Sequence, residues 1–425
     1  MNYLLYNLLL WMALVLGAPL WTVLLVLHPK WRAGLGERIG LVPRRLRVDR
    51  AGAPVVWIHA VSVGEVLAAA GLVRELEREH QVFVSTTTLT GQTLARARFG
   101  AQRVFYFPFD LRFAVRAYLG RLNPALVVLL ETEFWPNFLR EARRSAKVAV
   151  VNARISDRSL PGYNRRRTLV TTVLQHVDLF AAQSEQDARR LVQIGAPESR
   201  VEVGGNLKFD WQPPPEPALI ESLRAAIAGE ELFPVIVAGS TVEGEEPLLL
   251  RAFSRLGESF PKALLVLAPR HPERFAAAAQ AIIAGGFTVQ RRSQWQDGPL
   301  PLSPGVFLLD SIGELASVYQ LADIAFIGGS LTPRGGHNIL EPASFGKPIT
   351  VGPHTENFRE IVAGFQAKDA VVVAPAEEIG DVWIRLASDS AYRDSLGERA
   401  RAVIEANTGA TARTISALAE LERRA

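Results

Sequence analysis

From residue 55 onward, short apolar runs alternate with longer stretches whose apolar positions recur at helical spacing. The run VVWI at Val55–Ile58 and the stretch Val66–Glu79 are the first pair in this pattern. Such alternation is typical of βαβ units built around a parallel sheet. We therefore predict an α/β fold in which each strand is followed by a crossover helix.

The pattern occurs twice and predicts two doubly wound, Rossmann-like domains that face each other across a cleft. The glycines and four prolines of GGNLKFDWQPPPEP, residues 204–217, mark the boundary. We predict an N-terminal domain at 51–206, a linker at 207–217 and a C-terminal domain at 218–390. Residues 391–425 should form charged helices, which could pack back on the N-terminal domain.

Seven strands are predicted in each half. Those of the first half are Val55–Ile58, Val82–Ser85, Val104–Phe107, Leu126–Leu130, Val148–Val151, Leu179–Ala182 and Val201–Val203. Those of the second half are Val235–Ala238, Ala263–Leu267, Thr288–Gln290, Val306–Leu309, Ile324–Ile327, Pro348–Val351 and Ala370–Val373. Because ligands bind at the carboxyl ends of such strands, functional residues should follow strands.

The amino-terminal segment is apolar and is followed by a basic one. Residues 3–27 carry no charge and are long enough to cross a bilayer, so residues 1–28 are predicted to be a membrane-anchor helix. Residues 29–50 hold seven Lys and Arg against two acidic residues, which places the bulk of the chain on the cytoplasmic side. A cleaved signal peptide is a weaker alternative. Asn7, Gly17 and Pro19 leave open a helix that lies in the membrane interface.

Composition excludes several kinds of chemistry. The 425 residues include no cysteine, which rules out disulfides and thiolate nucleophiles. No Asp-x-Asp pair occurs and the seven histidines are scattered singly, so we expect no metal and no cofactor to be required. The net charge of +4 is modest, and no nucleic-acid partner is expected.

Polar residues follow the strands of the first half. Glu65 follows the first strand, although an acid there could simply stabilise a helix amino terminus. Glu131 and Glu133 lie in ETEFWPN, directly after an apolar strand, and either could be the functional acid. Lys208, in GNLKFD, could meet an anionic sugar or be a solvated linker charge.

The second half has the pattern of a nucleotide site. A strand ends in GGS at 328–330, and Gly336, His337 and Asn338 then lead into a predicted helix whose N–H groups would favour an anion. Glu341 lies one turn later and could accept ribose hydroxyls, although glycines serving tight turns are the simpler alternative. Pro269 and Arg270 follow another strand, and an arginine can bind phosphate in bidentate fashion. A further strand is followed by Asp310, Ser311, Ile312 and Gly313, where Ser311 could be a plain N-cap.

These motifs resemble the 3-deoxy-D-manno-octulosonic acid (Kdo) transferases of lipopolysaccharide synthesis. The stretches that carry the resemblance, between residues 59 and 354, are HAVSVGE, STTTLTG, ETEFWPN, VNARISDRS, GNLKFD, AGSTVEGEE, APRHPERF, DSIGEL and GGHNILEPASFGKPITVGPH.

The resemblance implies a GT-B glycosyltransferase that moves Kdo from CMP-Kdo to a lipid A precursor at the cytoplasmic face of the inner membrane. Glu65 matches the general base, and Glu131 and Lys208 match positions that stabilise the transition state. The residues implied for CMP or CMP-Kdo are Pro269, Arg270, Asp310, Ser311, Ile312, Gly313, Gly336, His337, Asn338 and Glu341.

Two other functions remain open at this point. The chain could be another GT-B enzyme, including a UDP-sugar epimerase. It could also be a membrane-anchored nucleotide-sugar-binding protein without catalysis, although an intact set of Glu65, Glu131 and Lys208 argues against lost activity.

Overall fold

The computed structural model describes residues 3–27, 32–211, 217–300 and 305–424. Residues 212–216 of the predicted linker, and residues 28–31 at the junction of the anchor and the basic segment, lie outside these ranges. The chain divides into two compact units, which are residues 1–210 with 407–425 (unit 1) and residues 211–406 (unit 2). The predicted helical segment 391–425 is therefore shared between the two units.

Unit 1 is built on a seven-stranded parallel sheet with the order β3-β2-β1-β4-β5-β6-β7. Its strands are β1 (Val55–His59), β2 (Gln81–Thr86), β3 (Val104–Tyr106), β4 (Leu126–Leu130), β5 (Lys147–Ala153), β6 (Leu179–Ala182) and β7 (Val201–Val203). Its helices are α1 (Tyr3–Leu16), α2 (Ala18–Leu27), α3 (Leu35–Arg38), α4 (Val63–Leu76), α5 (Leu89–Phe99), α6 (Arg112–Leu122), α7 (Pro136–Ala142), α8 (Leu160–Arg165), α9 (Arg167–Leu174), α10 (Glu185–Ile194) and, from the far end of the chain, α19 (Ala410–Arg423).

Unit 2 is built on a second parallel sheet with the order β10-β11-β9-β8-β12-β13-β14. Its strands are β8 (Val235–Thr241), β9 (Leu264–Pro269), β10 (Thr288–Arg291), β11 (Gly305–Leu308), β12 (Ile324–Ile327), β13 (Ile349–Val351) and β14 (Val372–Val373). Its helices are α11 (Ala218–Gly229), α12 (Glu246–Ser259), α13 (Phe275–Ala284), α14 (Leu315–Val318), α15 (Leu340–Ser344), α16 (Arg359–Gln366), α17 (Ile379–Ser388) and α18 (Ser390–Asn407).

The central strands are buried along their whole length, which explains why they are continuous apolar runs rather than alternating ones. In unit 1, Trp57 is fully buried and packs against Phe105, Tyr118 and Phe138 at centroid distances of 5.0–6.0 Å. The two sheets confirm the predicted α/β class with two doubly wound domains.

The apolar amino-terminal segment is a bent pair of helices rather than one rod. Among the described residues no single helix is long and apolar enough to cross a membrane. Helices α1 and α2 meet the length and composition criteria only together, and they are bent by 58° at the break between them.

Candidate active site

Glu65 and Glu131 follow neighbouring strands at the switch point of the unit 1 sheet. Strand β1 lies between β2 and β4, so the loops after β1 and β4 leave the sheet in opposite directions. The gap between two such loops is where doubly wound sheets bind ligands. Helix α4 begins three residues earlier than predicted, at Val63, and this places Glu65 in its first turn.

The Glu65 carboxylate is buried and held in a fixed orientation. Its side chain accepts the Val61 N–H at 2.8 Å and the Ser62 hydroxyl at 3.1 Å, and the residue is 8% exposed. Burial is the main reason that the pKa of Glu65 is raised to about 7, and the negative charge of Glu131 is the second. A purely structural role as a helix cap would explain the two hydrogen bonds. A pKa near neutrality is instead typical of a general base.

Glu131 and Lys208 are brought together, as the sequence interpretation requires. Lys208 Nζ lies 3.3 Å from Glu131 Oε1, and both side chains are about one-quarter exposed. Glu131 also has a φ of +57°, which is uncommon for a residue with a side chain and is often found at functional sites. The alternative acid, Glu133, instead accepts the indole N–H of Trp135 at 2.6 Å. The geometry therefore favours Glu131 as the partner of Lys208.

Asn152 and Gln183 position the segment that carries Lys208. Asn152, which has a φ of +54° and is almost fully buried, accepts the Leu207 N–H at 3.0 Å through its side chain. Gln183 donates to the Asn152 carbonyl at 3.0 Å and accepts from the Asn206 amide at 3.1 Å. Gln183 is not among the residues predicted from the sequence. The only available signal was its position directly after a strand.

In unit 2, Arg270 lies near two residues of the glycine-rich loop. Burial raises the pKa of Glu341, and the hydrogen bond from Asn338 and the charge of Arg270 only partly offset this rise. The charge of Arg270 also acts on His337, so the three side chains share one region. Burial is the main cause at His337, whose pKa falls to about 4 and whose imidazole is neutral at physiological pH. Its Nε2 atom is buried with no partner among the described residues. No described carboxylate forms an ion pair with the Arg270 guanidinium, which leaves it available to an anionic ligand.

The loop before Glu341 depends on glycine, but the helix after it is short. Gly335 and Gly336 have φ values of +86° and +73°, and the Gly336 N–H bonds to the Gly329 carbonyl at 2.7 Å. Helix α15 is a five-residue turn, so the helix-dipole contribution expected from sequence is small. Asn338 accepts the Leu340 N–H at 3.1 Å and donates to Glu341 at 3.2 Å.

The loop after β11 lies beside the end of β9, which finishes at Pro269. The Asp310 carboxylate is already occupied, because Arg291 and Ser293 bind it at 2.6–2.8 Å. Burial alone would raise the pKa of Asp310, but these bonds outweigh it and lower the pKa. The Ser311 hydroxyl donates to Glu314. Ile312 is 68% exposed, and space is open around Gly313, so the free contact groups of this loop are those of its backbone and of Ile312.

Glu245 was missed as a site residue, although it lies in the motif AGSTVEGEE. It is fully buried and accepts four backbone N–H groups. Those of Gly329, Ser330 and Leu331 lie at 2.7–2.9 Å, and that of Val242 lies at 3.0 Å. The N–H groups of the GGS loop after β12 therefore bind a carboxylate of the protein itself. The anion expected from the sequence was instead a ligand at the start of the helix that follows Asn338.

The chain is similar in sequence to known proteins. The family model described as 3-Deoxy-D-manno-octulosonic-acid transferase (kdotransferase) matches residues 33–211. The 3-deoxy-D-manno-octulosonic acid transferase of Haemophilus influenzae is 34% identical over 405 residues, 93% of each chain. The Bordetella pertussis protein of the same name is 37% identical over 384 residues, 87% of this chain and 88% of that one.

A solved structure matches both units. The crystal structure of UDP-GlcNAc 2-epimerase from Neisseria meningitidis bound to UDP-GlcNAc has a TM-score of 0.56 and 16% identity. The match covers 87% of this chain and 100% of that one. At this identity the likeness concerns the fold alone, and it confirms the GT-B class.

Proposed function

The chain belongs to the Kdo transferase family of lipopolysaccharide biosynthesis, and from this premise we propose that it transfers Kdo from CMP-Kdo to a lipid A precursor, lipid IVA. Unit 2 binds the cytidylate part of the donor, and unit 1 supplies the base that activates the acceptor. The reaction takes place at the cytoplasmic face of the inner membrane, to which the amino-terminal segment holds the protein.

The observation that carries the proposal is the buried carboxyl of Glu65, whose pKa is raised to about 7 beside Glu131. A sugar hydroxyl is a poor nucleophile near neutral pH, and a positioned carboxylate that takes its proton typically contributes about 10²- to 10⁴-fold to the rate. A carboxyl with an ordinary pKa would be a much weaker base. Burial of Glu65 therefore gives it the proton affinity that this step needs.

The transfer step follows from these roles. The acceptor oxygen forms a bond to the anomeric carbon of Kdo while its proton passes to Glu65. The bond between that carbon and the phosphate oxygen breaks, and CMP leaves with the electron pair. Direct displacement inverts the anomeric configuration. Lys208, held by Glu131 at 3.3 Å, provides a fixed positive charge for the carboxylate of Kdo or for the negative charge that develops on the leaving phosphate.

Donor binding is assigned to the unpaired cation and the loop beside it. Arg270 meets the phosphate, and the Glu341 carboxylate accepts ribose hydroxyls. The neutral His337 ring has an unpartnered Nε2 that can bond to the ligand. Pro269, residues 310–313, Gly336 and Asn338 complete the surface, with residues 310–313 acting mainly through backbone groups. We expect these residues to suffice without a metal ion.

The test is release of CMP from CMP-Kdo by purified protein, with and without the tetraacylated lipid A precursor. We expect rapid release only with acceptor, and formation of a Kdo-lipid product. Glu65→Ala and Glu65→Gln should abolish transfer while the affinity for CMP stays within about twofold of wild type. Equal turnover with UDP-sugars would favour another GT-B enzyme, and CMP binding without any turnover would favour a binding protein.

A further inference from the structure

Helix α1 has one face against the rest of unit 1 and one face exposed. Tyr3, Tyr6, Asn7, Leu10 and Leu14 are half-buried at the i, i+3, i+4, i+7 and i+11 positions of one stripe. Eight large apolar side chains on the remaining surface of α1 are 44–82% exposed. The helix is therefore docked along one stripe only, and its exposed surface is almost entirely apolar.

The docked stripe is held by polar contacts. The Tyr6 hydroxyl donates to Asp110 Oδ2 at 2.8 Å. Asn7 and Asn137 exchange two amide hydrogen bonds of 3.1 and 2.9 Å. At the start of the helix, the Tyr3 hydroxyl lies 2.9 Å from a ring nitrogen of His176. We name Tyr3, Tyr6 and Asn7, with the groups that they contact, the polar latch.

The receiving side of the polar latch is a fixed part of unit 1. Asp110 is 6% exposed and also accepts the N–H groups of Asn137 and Phe138 at 3.0 and 2.7 Å. These two residues belong to the first turn of α7, which directly follows the ETEFW loop of Glu131. Removal of Tyr6 would leave a buried carboxylate with one bond fewer, which is costly. The contact therefore favours a docked α1 and joins it to the acceptor-side loop.

The polar latch is incompatible with an α1 that crosses the bilayer. Fourteen residues of helix measure about 21 Å, which is less than the hydrocarbon thickness of about 30 Å. In a spanning arrangement the amino-terminal end of α1 would lie on the far side of the membrane from Asp110. Tyr6 and Asn7 would then lose their partners, and polar groups without partners are unfavourable in lipid.

Charge beside the exposed face favours an anionic lipid surface. Trp11 stacks on the exposed Phe113 of α6 with a centroid distance of 6.2 Å. Helix α6 also carries Arg112 and Arg116, which both bind the one carboxylate of Glu141, at 3.1 and 2.8 Å. Arg144 binds the same carboxylate, so this cluster has a net positive charge. Apolar side chains bordered by excess arginine are typical of segments that lie in the headgroup region.

We propose that α1 lies in the plane of an anionic lipid surface without crossing it, with its exposed apolar face in the lipid and the polar latch holding its amino-terminal end on the same side as the sheet of unit 1. The inference rests on the membrane location in the proposed function and specifies its geometry. Because α7 follows the ETEFW loop, α1 holds that loop close to the surface that carries a lipid acceptor.

Cross-linking in the membrane-bound, full-length protein tests this geometry. The chain has no cysteine, so introduced cysteines are the only thiols. The test pair is Asn7→Cys with Asn137→Cys. The matched control is Leu9→Cys with Asn137→Cys, because Leu9 is 52% exposed and lies about 200° around the helix from Asn7. Both pairs lose the Asn137 amide, so the cost of that change is common to them. The proteins are bound to phosphatidylethanolamine–phosphatidylglycerol vesicles and treated with a short bifunctional thiol reagent.

We expect the Asn7 pair to give at least fivefold more intramolecular product than the Leu9 pair in protein that floats with the vesicles. Flotation with equal yields from both pairs would overturn the in-plane geometry and leave membrane binding intact. Failure of the wild-type protein to float would overturn the membrane location itself. Intermolecular products of Leu9→Cys that form without vesicles would assign the exposed face to a second copy of the chain and overturn the proposal.

Discussion

Replacement of Glu65 by glutamine should remove activity and increase the stability of unit 1 at the same time. The rise of the Glu65 pKa from 4.5 to about 7 corresponds to about 3.4 kcal/mol that disfavours the ionised carboxyl in the folded protein. The contribution of Glu65 to folding stability is therefore most favourable below its unfolded pKa and is lost as pH increases through about 7. Glutamine keeps the shape of the side chain without the charge, and its oxygen can accept the Val61 N–H while its amide donates to the Ser62 hydroxyl oxygen. We therefore expect Glu65→Gln to gain up to about 3 kcal/mol at pH 8 and almost nothing at pH 4.5.

Two assays measure the effect. Amide hydrogen exchange of the buried strands of unit 1, measured in denaturant, gives the stability of that unit at several pH values. Rates of Kdo transfer give kcat/KM, which for the wild type should fall about tenfold per pH unit below pH 6, because the base must be ionised. Neutralising Glu131 by Glu131→Gln should move the acidic side of this pH–rate profile to lower pH, because the charge of Glu131 contributes to the raised pKa of Glu65. This shift along the pH axis can be measured even if the Glu131→Gln variant has a lower kcat.

Glu141→Gln is a control for which the expected change in stability has the opposite sign. It is also a buried glutamate of unit 1, but Arg116 and Arg112 outweigh the effect of burial and lower its pKa. Glu141→Gln should therefore destabilise unit 1 at pH 8, where Glu65→Gln stabilises it. If Glu65→Gln leaves the stability at pH 8 unchanged, or retains near-normal transfer, the assignment of Glu65 as a buried base is refuted.

Three further predictions concern the donor half. Glu245→Gln places an amide group against backbone N–H donors at 2.7–2.9 Å, so it should raise the KM for CMP-Kdo about tenfold or more and leave kcat and the acceptor KM nearly unchanged. Equal changes in all three parameters would indicate only a structural role. Arg270→Ala should raise the donor KM, with partial rescue by Arg270→Lys, whereas an unchanged KM would remove Arg270 from the phosphate site. Dialysis against EDTA should leave the transfer rate within about twofold, and recovery on adding Mg²⁺ after a loss would contradict metal-free chemistry.

The sheets were predictable because burial on both faces leaves a strong signal. All fourteen predicted strands occur in the predicted order. β1, for example, differs from its prediction only by the addition of His59. The ends are less predictable, because they depend on ladder hydrogen bonds rather than on hydrophobicity. Strand β8 continues to Thr241, three residues past the apolar run that predicted it.

The positions of Glu65 and Glu131 were also predictable in outline, because residues that follow the adjacent parallel strands β1 and β4 meet at one edge of the sheet. Lys208 follows the edge strand β7, and its place beside Glu131 depends on the segment that the Asn152 side chain holds at Leu207. The choice between Glu131 and Glu133 was not predictable. It depends on a positive φ at Glu131 and on the indole of Trp135, which binds Glu133. Neither property has a signature in the sequence, since both arise from tertiary packing around the loop.

Glu245 shows why a glycine-rich loop does not by itself locate a phosphate. The glycines after β12 do expose a row of N–H groups, and an anion does bind there. However, β8 and β12 are neighbours across the switch point. Glu245, which follows β8, therefore lies beside these N–H groups and occupies them. A buried carboxylate that accepts four N–H hydrogen bonds is held strongly in place, so these N–H groups are not open to a phosphate. In the proposed reaction we therefore expect the donor phosphate to be bound by groups that the protein leaves unpaired, such as the Arg270 guanidinium, which forms no ion pair with a described carboxylate.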